Sequence, residues 1–451
     1  MIVSRFSGKI FLASVFLGLC VCFSAAAQQT QIPPELDKFK PAKAPPATGL
    51  YLKESDRLAI CGDSITEQKM YSRIIEDYLT MCVPDLSITV RQYGWSGERA
   101  PGFLARMTND CLRFKPTIAT TCYGMNDHEY RPYEDRIGKT YEENSRAIVD
   151  AFKANGVRVV LGSPGCVGKL PSWVKSATGT VDDLNLNLCN LRNIDIQIAE
   201  KENVRFADVF WPMLTAGVQA RAKYQPSYAI AGKDGVHPGW AGQTVMAYAF
   251  LKAFGLDGNL GVFRMDLGRR RFFASKGHEM ISGDNGEYQM KSSRYPFCPC
   301  EPAGLVAASY PECEKDNPAS DSSIRSGMTL IPFDKDLNRF TLVVQNGNSP
   351  SYKVTWGDQT KTFTADKLNA GINLVEEFPI NPFSAAFAKV DAVIAAKQAY
   401  ETRQIKQIFH GPEGKADMEK AVEETEKERQ KLADAIKAAF VPVTWTIKVH
   451  P

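Results

Sequence analysis

The chain has 451 residues, 44% of them hydrophobic and 23% charged, with 54 Lys and Arg against 51 Asp and Glu for a net charge of +3. That length exceeds one typical domain and invites at least two, each large enough to bury a core. The near-neutral balance excludes the broad basic surface that binds nucleic acid, and no segment beyond the first thirty residues is apolar for long enough to give stable membrane insertion.

In chain order, residues 1–27 read as a secretory signal: Arg5 and Lys9 make a positive start, Ile10 to Phe23 an apolar core, and Ala25-Ala26-Ala27 a small-residue cleavage site. The apolar run is shorter than a bilayer span and ends in small residues, so the expectation is export to the periplasm or the exterior. Its removal takes away two basic residues, leaving a net charge of +1, and two of the eleven cysteines. The odd remainder leaves at least one thiol outside any intrachain disulfide. Cys61 and Cys122 end strand-like runs and read as small buried residues. Cys298, Cys300 and Cys313 fit a local disulfide better than zinc, since no histidine or fourth cysteine stands at ligand spacing.

Residues 28–53, with Pro33-Pro34 and Pro45-Pro46, predict an extended lead-in. From there apolar runs alternate with amphipathic stretches. Strands are predicted at Leu58 to Cys61, Ser87 to Tyr93, Thr117 to Cys122, Arg158 to Leu161 and Val204 to Val209. Helices are predicted at Glu67 to Leu79, Tyr141 to Asn155, Leu184 to Lys201 and Trp240 to Leu256. The alternation predicts an α/β domain over 54–258, a parallel sheet covered on both faces with ligands beyond the strands' carboxyl ends.

A β-rich unit follows over 259–380, with strands at Phe340 to Gln345, Tyr352 to Trp356 and Lys361 to Phe363. Residues 381–451 predict an antiparallel helical pair, Phe383 to Phe409 and Lys415 to Phe440, and a last strand, Val443 to Val449. The Gly411-Pro412 hinge raises the idea of a lid, and the charge-rich run Glu419 to Lys431 reads as a solvated helix face.

Ser64 stands in Gly62-Asp63-Ser64-Ile65-Thr66, between a predicted strand and a helix, where backbone N–H groups can stabilise developing negative charge. Alone, Gly-Asp-Ser is a common turn. Three further groups fall at the ends of successive units: Gly97 in Gly94-Trp95-Ser96-Gly97-Glu98, Asn126 in Gly124-Met125-Asn126-Asp127, and Asp234 with His237 in Asp234-Gly235-Val236-His237-Pro238. A serine hydroxyl needs an adjacent base, and five histidines make the choice narrow. His237 has Asp234 three residues earlier to hold its tautomer. His128, just after Asn126, is the nearest rival base and a candidate substrate contact. Asp63 suits a capping role beside Ser64. Ser96 lacks the second glycine of a Gly-x-Ser-x-Gly elbow.

This set, in this order, resembles the four sequence blocks of the SGNH (GDSL-like) hydrolases, over about Asp56 to Gly258. The resemblance implies a flavodoxin-like three-layer α/β/α domain and a serine esterase that needs no metal or organic cofactor. It assigns attack to Ser64, base catalysis to His237 oriented by Asp234, and an oxyanion hole to the Ser64 and Gly97 N–H groups with the Asn126 amide. Export and the appended β unit favour acetyl esters of carbohydrate as substrate. A lipase or thioesterase acting on longer chains, and an inactive glycan- or cell-wall-binding protein, are the alternatives. Trp95, Tyr123, Tyr130, Tyr133, Trp211 and Trp240 fit either sugar stacking or core packing. Of these, Trp95 and Tyr123 join His128 as candidate substrate contacts.

Overall fold

The computed structural model describes residues 33–299 and 317–451. The leader, the start of the lead-in, Cys300 and Cys313 lie outside the described residues. The chain separates into a unit ending at Lys40, whose described part is the 3-10 turn Pro34–Phe39, and a second unit, Pro41–Pro451.

The second unit opens with five short strands: β1 Arg57–Gly62, β2 Thr89–Gln92, β3 Ile118–Cys122, β4 Arg158–Gly162 and β5 Arg205–Ala207. They pair in parallel in the order β2-β1-β3-β4-β5. All of β3, and all of β1 beyond Arg57, is buried. A strand covered on both faces requires such an unbroken run of apolar or small residues.

The accompanying helices are α1 Ser64–Glu67, α2 Tyr71–Asp77, α3 Ala100–Asp110, α4 Asp135–Ala154, α5 Val181–Glu202, α6 Phe210–Lys223 and α7 Trp240–Ala253. Helices α3, α4 and α5 pack in succession on one face, and α2, α7 and α6 on the other. The result is a three-layer α/β/α domain with the flavodoxin-like strand order. Because β1 has β2 on one side and β3 on the other, the chain changes direction there and a crevice opens beyond the strands' carboxyl ends.

Two differences from the sequence expectation have physical causes. The helix predicted over Glu67 to Leu79 is broken after α1, where Lys69 takes a left-handed φ of 57°. Helix α3 escapes the apolar pattern because Arg106 and Asp110 are buried on its inner face, paired with each other.

Beyond α7 the chain builds two sheets. Strands β6 Asn259–Asp266, β7 Arg271–Ala274, β8 His278–Asp284, β9 Glu287–Ser292, β10 Arg339–Gln345, β11 Ser351–Trp356, β12 Gln359–Thr364, β13 Ile372–Asn373 and β14 Val443–His450 form the orders β13-β10-β6-β7 and β12-β11-β14-β9-β8. Phe263 packs against Phe340 at 4.8 Å and Trp445 at 5.1 Å, joining the sheets through an aromatic core. The last strand inserts between β9 and β11. Strands β6 to β9 were not predicted; β8 exposes every residue after His278, so it carries no apolar alternation.

Helices α8 Ser384–Arg403 and α9 Met418–Ala439 form the expected antiparallel pair, with a π turn, Gln404–Phe409, continuing α8. The pair lies along the outer edge of β2, where it covers backbone that no sixth strand among the described residues pairs. Lys397 Nζ donates to the Val90 carbonyl at 2.8 Å, Arg429 to the same carbonyl at 3.2 Å, and the Gln92 N–H donates to Glu401 Oε2 at 3.1 Å. Ile405 and Phe409 of the π turn join the apolar cluster of Ala59, Phe103, Met107 and Phe152. Outward, the run Glu419 to Lys431 carries exposed pairs such as Glu423 with Lys427, while Glu426 and Arg429 of the same run turn inward.

Lys397 is buried between Glu76, 3.0 Å away, and Glu401, 2.8 Å away. Burial raises both acids, but Lys397, Arg429 and Arg91 together hold Glu401 below its ordinary value while Glu76 stays above. Lys397→Met would strand these carboxylates, and a loss of about 3–5 kcal/mol is expected. Urea unfolding checks this through a lowered midpoint at unchanged slope.

Candidate active site

Ser64 opens α1 directly after β1. The preceding Asp63 caps this helix, its Oδ1 accepting the Ile65 N–H at 2.9 Å, as the capping expectation required. Burial pushes the Asp63 carboxyl up to about 7 against that hydrogen bond. At Gly94 there is no room for a side chain: a Cβ would meet the Glu67 backbone nitrogen at 2.2 Å. The β2–α3 loop is thereby laid directly on α1.

The turn before α7 carries Asp234 and His237. His237 Nε2 lies 2.9 Å from Ser64 Oγ, and His237 Nδ1 lies 2.7 Å from Asp234 Oδ2. Asp234 Oδ1 accepts the Val236 and His237 N–H groups, each at 2.9 Å. Partial burial works to raise this carboxyl, yet those N–H groups and the imidazole outweigh it and hold it below the usual range. An ionised Asp234 places the imidazole proton on Nδ1 and leaves Nε2 free to accept from the serine hydroxyl.

Gly97 and Asn126 stand on the loops after β2 and β3. Gly97 has a φ of 74°, a conformation suited to glycine. Asn126 Nδ2 donates to the Glu98 carbonyl at 3.0 Å, tying the two loops together, and Tyr130 Oη donates to Asn126 Oδ1 at 3.1 Å. These partners fix which end of the amide is nitrogen and, among the described residues, leave its second N–H unused. Asp127 adds a clamp, accepting from Ala100 N and Gly124 N at 2.9 Å each; burial pushes its carboxyl up to about 6.

The three expected substrate contacts fare differently. Tyr123 is buried, its hydroxyl donating to Glu98 Oε2 at 2.9 Å and its ring stacked on Phe103. His128 is fully buried with Nδ1 on the Met125 carbonyl at 2.5 Å, and burial pushes it down to about 4, so at neutral pH it is an uncharged packing residue. Neither can meet a substrate from solvent. Trp95 is half-buried and occupied by the protein's own groups: the His410 ring edge-on at 4.9 Å, Arg106 at 5.0 Å and Lys406 at 5.2 Å.

The aromatic residue that does face solvent at the site is Trp173, 47% exposed and tilted 31° to the His237 ring at 5.7 Å. It lies with exposed Leu170 on the loop between β4 and α5. No motif marks it, and the only sequence signal was a tryptophan in a Pro-, Ser- and Gly-rich loop just past a predicted strand. A polar cleft of about 770 Å3, lined in part by Lys169, Arg221, Tyr224, Lys233 and Gly235, opens beside the Asp234 turn. Among the described residues no three His, Cys, Asp or Glu side chains gather as a metal site, and no helix is long and apolar enough to cross a membrane.

Residues 60–245 match the GDSL-like lipase/acylhydrolase family. An acetylxylan esterase of Geobacillus stearothermophilus is 24% identical over 221 residues, which are 45% of this chain and 95% of that protein. A solved structure of a gut microbial diltiazem-metabolizing enzyme has the same fold with a TM-score of 0.69 at 21% identity, over 89% of this chain and 99% of its own. A crystal structure of the Geobacillus acetylxylan esterase gives a TM-score of 0.37 at 22% identity, over 46% of this chain and 97% of its own. Residues 60–245 thus carry a GDSL-like lipase/acylhydrolase region, and the chain is a carboxylic ester hydrolase.

Proposed function

We propose that the chain is an exported serine esterase that removes O-acetyl groups from carbohydrate, with Ser64, His237 and Asp234 as its catalytic residues. The observation that carries this reading is the unbroken line from Asp234 Oδ2 through His237 to Ser64 Oγ, with contacts of 2.7 and 2.9 Å. Residues 54–258 act as the catalytic unit, with 259–380 and 381–451 as its β-rich and helical companions. Residues 1–27 direct export to the periplasm or beyond.

Ser64 Oγ attacks the ester carbonyl carbon while His237 Nε2 takes its proton. The tetrahedral oxyanion receives the Ser64 and Gly97 N–H groups and the second N–H of Asn126. His237 returns the proton to the departing sugar hydroxyl, leaving an acetyl-serine. Water, deprotonated by His237, then attacks this ester, and collapse releases acetate and restores Ser64.

Three features favour a sugar ester. Trp173 offers an exposed ring beside His237, the cleft by the Asp234 turn is polar-walled, and the Geobacillus relative is an acetylxylan esterase. An acetyl group also needs little pocket of its own.

Ser64→Ala is expected to cut acetate release from acetylated xylan by roughly 10^4-fold or more. Retained release in the variant would overturn the nucleophile assignment, and a preference for long-chain over acetyl nitrophenyl esters would move the substrate to lipids. Asn126→Ala is expected to lower kcat by about 10^2-fold with KM little changed, read from steady-state rates on 4-nitrophenyl acetate. For Trp173→Ala, KM on acetylated xylo-oligosaccharides should rise about three- to tenfold while 4-nitrophenyl acetate turnover holds. An equal effect on both substrates would remove Trp173 as a sugar platform.

A further inference from the structure

The clearest connection between the C-terminal helical pair and the catalytic end of the sheet runs through Glu67. This residue ends α1, one helical turn beyond Ser64, and its N–H donates to the Asp63 carbonyl at 2.9 Å. Its Oε2 accepts the Ser96 N–H at 2.5 Å, and its two carboxylate oxygens take Lys406 Nζ at 2.7 and 2.8 Å. Lys406 belongs to the π turn that continues α8, more than 300 residues further along the chain.

Ser96 immediately precedes Gly97, so the Glu67 carboxylate pins the peptide before the proposed oxyanion donor. On the far side, the Glu98 carbonyl is pinned by Asn126, and the Glu98 N–H donates to the Trp95 carbonyl at 3.1 Å. Trp95 is itself held from outside: Lys406 lies over its ring, and His410 packs edge-on while its Nε2 meets Asp110 Oδ2 at 2.8 Å. Gly97 is thus bracketed, and the outer side of the bracket comes from the helical pair. Burial works to raise Glu67, but Lys406 and Ser96 outweigh it and keep the carboxylate below its ordinary value, in its charged form.

We propose that Lys406 is a positioning residue for ester hydrolysis: by clamping Glu67 it fixes the Trp95–Ser96 peptide, and through it turns the following Gly97 N–H toward the oxyanion, and the helical pair thereby completes the catalytic centre. The inference rests on the assignment of Ser64 as nucleophile and Gly97 as oxyanion donor. The ammonium touches no substrate and acts through the carboxylate. Stripped of its cation, Glu67 is drawn toward solvent, and the loop loses the acceptor for Ser96.

The test uses the full-length mature protein with 4-nitrophenyl acetate as substrate and a boronic acid as mimic of the tetrahedral oxyanion. Lys406→Met is expected to lower kcat about tenfold, with KM within twofold and boronate affinity reduced by a like factor. Lys406→Arg, which keeps the charge and can grip the carboxylate, should restore most of both losses. In Glu67→Gln the further change Lys406→Met should add little, since both act through one contact. Full kcat in a folded Lys406→Met protein overturns the proposal. So does a loss that Lys406→Arg leaves unrepaired and that tracks a fall in thermal midpoint, which would make Lys406 a purely structural residue. Ser64→Ala, run alongside, separates the two levels: hydrolysis that survives it defeats the catalytic reading itself, whereas Ser64-dependent hydrolysis indifferent to Lys406 defeats only the clamp.

Discussion

Among the described residues strand β2 is the outermost strand on its side of the parallel sheet, and its outward peptide groups have no strand to pair with. Buried and unpaired, each would cost on the order of 1–3 kcal/mol, and left open they would form a template for association with another chain. Side chains of the helical pair supply the missing partners: Lys397 and Arg429 for the Val90 carbonyl, and Glu401 for the Gln92 N–H. Much of the rest of the structure follows from this arrangement. A lysine and a glutamate brought to a buried sheet edge must be neutralised, which draws in Glu76 and Arg429, while Arg73 of α2 grips Asp391 of α8 through two hydrogen bonds of 2.5 Å.

Such a network adds little net stability by itself, because desolvation of the charges offsets much of their attraction. What it imposes is register. Helix α8 can slide along β2 only by breaking several buried partnerships together, and the same fixed register sets Ile405 and Phe409 into the core and Lys406 against Glu67. The pair therefore sits along the sheet edge and braces the loop that carries Gly97, where the Gly411-Pro412 hinge had suggested a lid. The solved structure with a TM-score of 0.69 spans 89% of this chain, so its fold extends beyond the hydrolase domain into the C-terminal half.

The legibility of the sequence divides along physical lines. Strands β1, β3 and β4 are buried on both faces, their apolar runs are unambiguous, and they were placed within a residue or two. The motifs at their ends were readable because chemistry restricts the residue types: glycine where backbones touch, serine after a strand, Asp-x-x-His in a turn. Trp173 was missed because a platform needs only an exposed ring, which imposes no spacing on its neighbours. Tyr123 and His128 were misjudged for the converse reason. Proximity in sequence to Asn126 does not say which way a side chain points, and both turn inward. The edge network was invisible because Lys397, Glu401 and Arg429 read locally as ordinary solvated helix charges; only the tertiary fold brings them to β2.

The two aspartates beside the candidate nucleophile illustrate how environment divides one residue type between two tasks. Asp63 is sealed beneath α1 with the Ile65 N–H as its side-chain partner, and burial carries it up to about 7, where a proton can be retained without loss of the cap. Asp234 lies on a partly open turn with two backbone N–H groups on one oxygen and the imidazole on the other, and its carboxyl is held low. Negative charge is therefore stable at Asp234 and costly at Asp63. In the proposed mechanism the histidine becomes cationic during ester attack and gains from a fixed negative neighbour, and the turn before α7 supplies one that the interior beneath Ser64 would not.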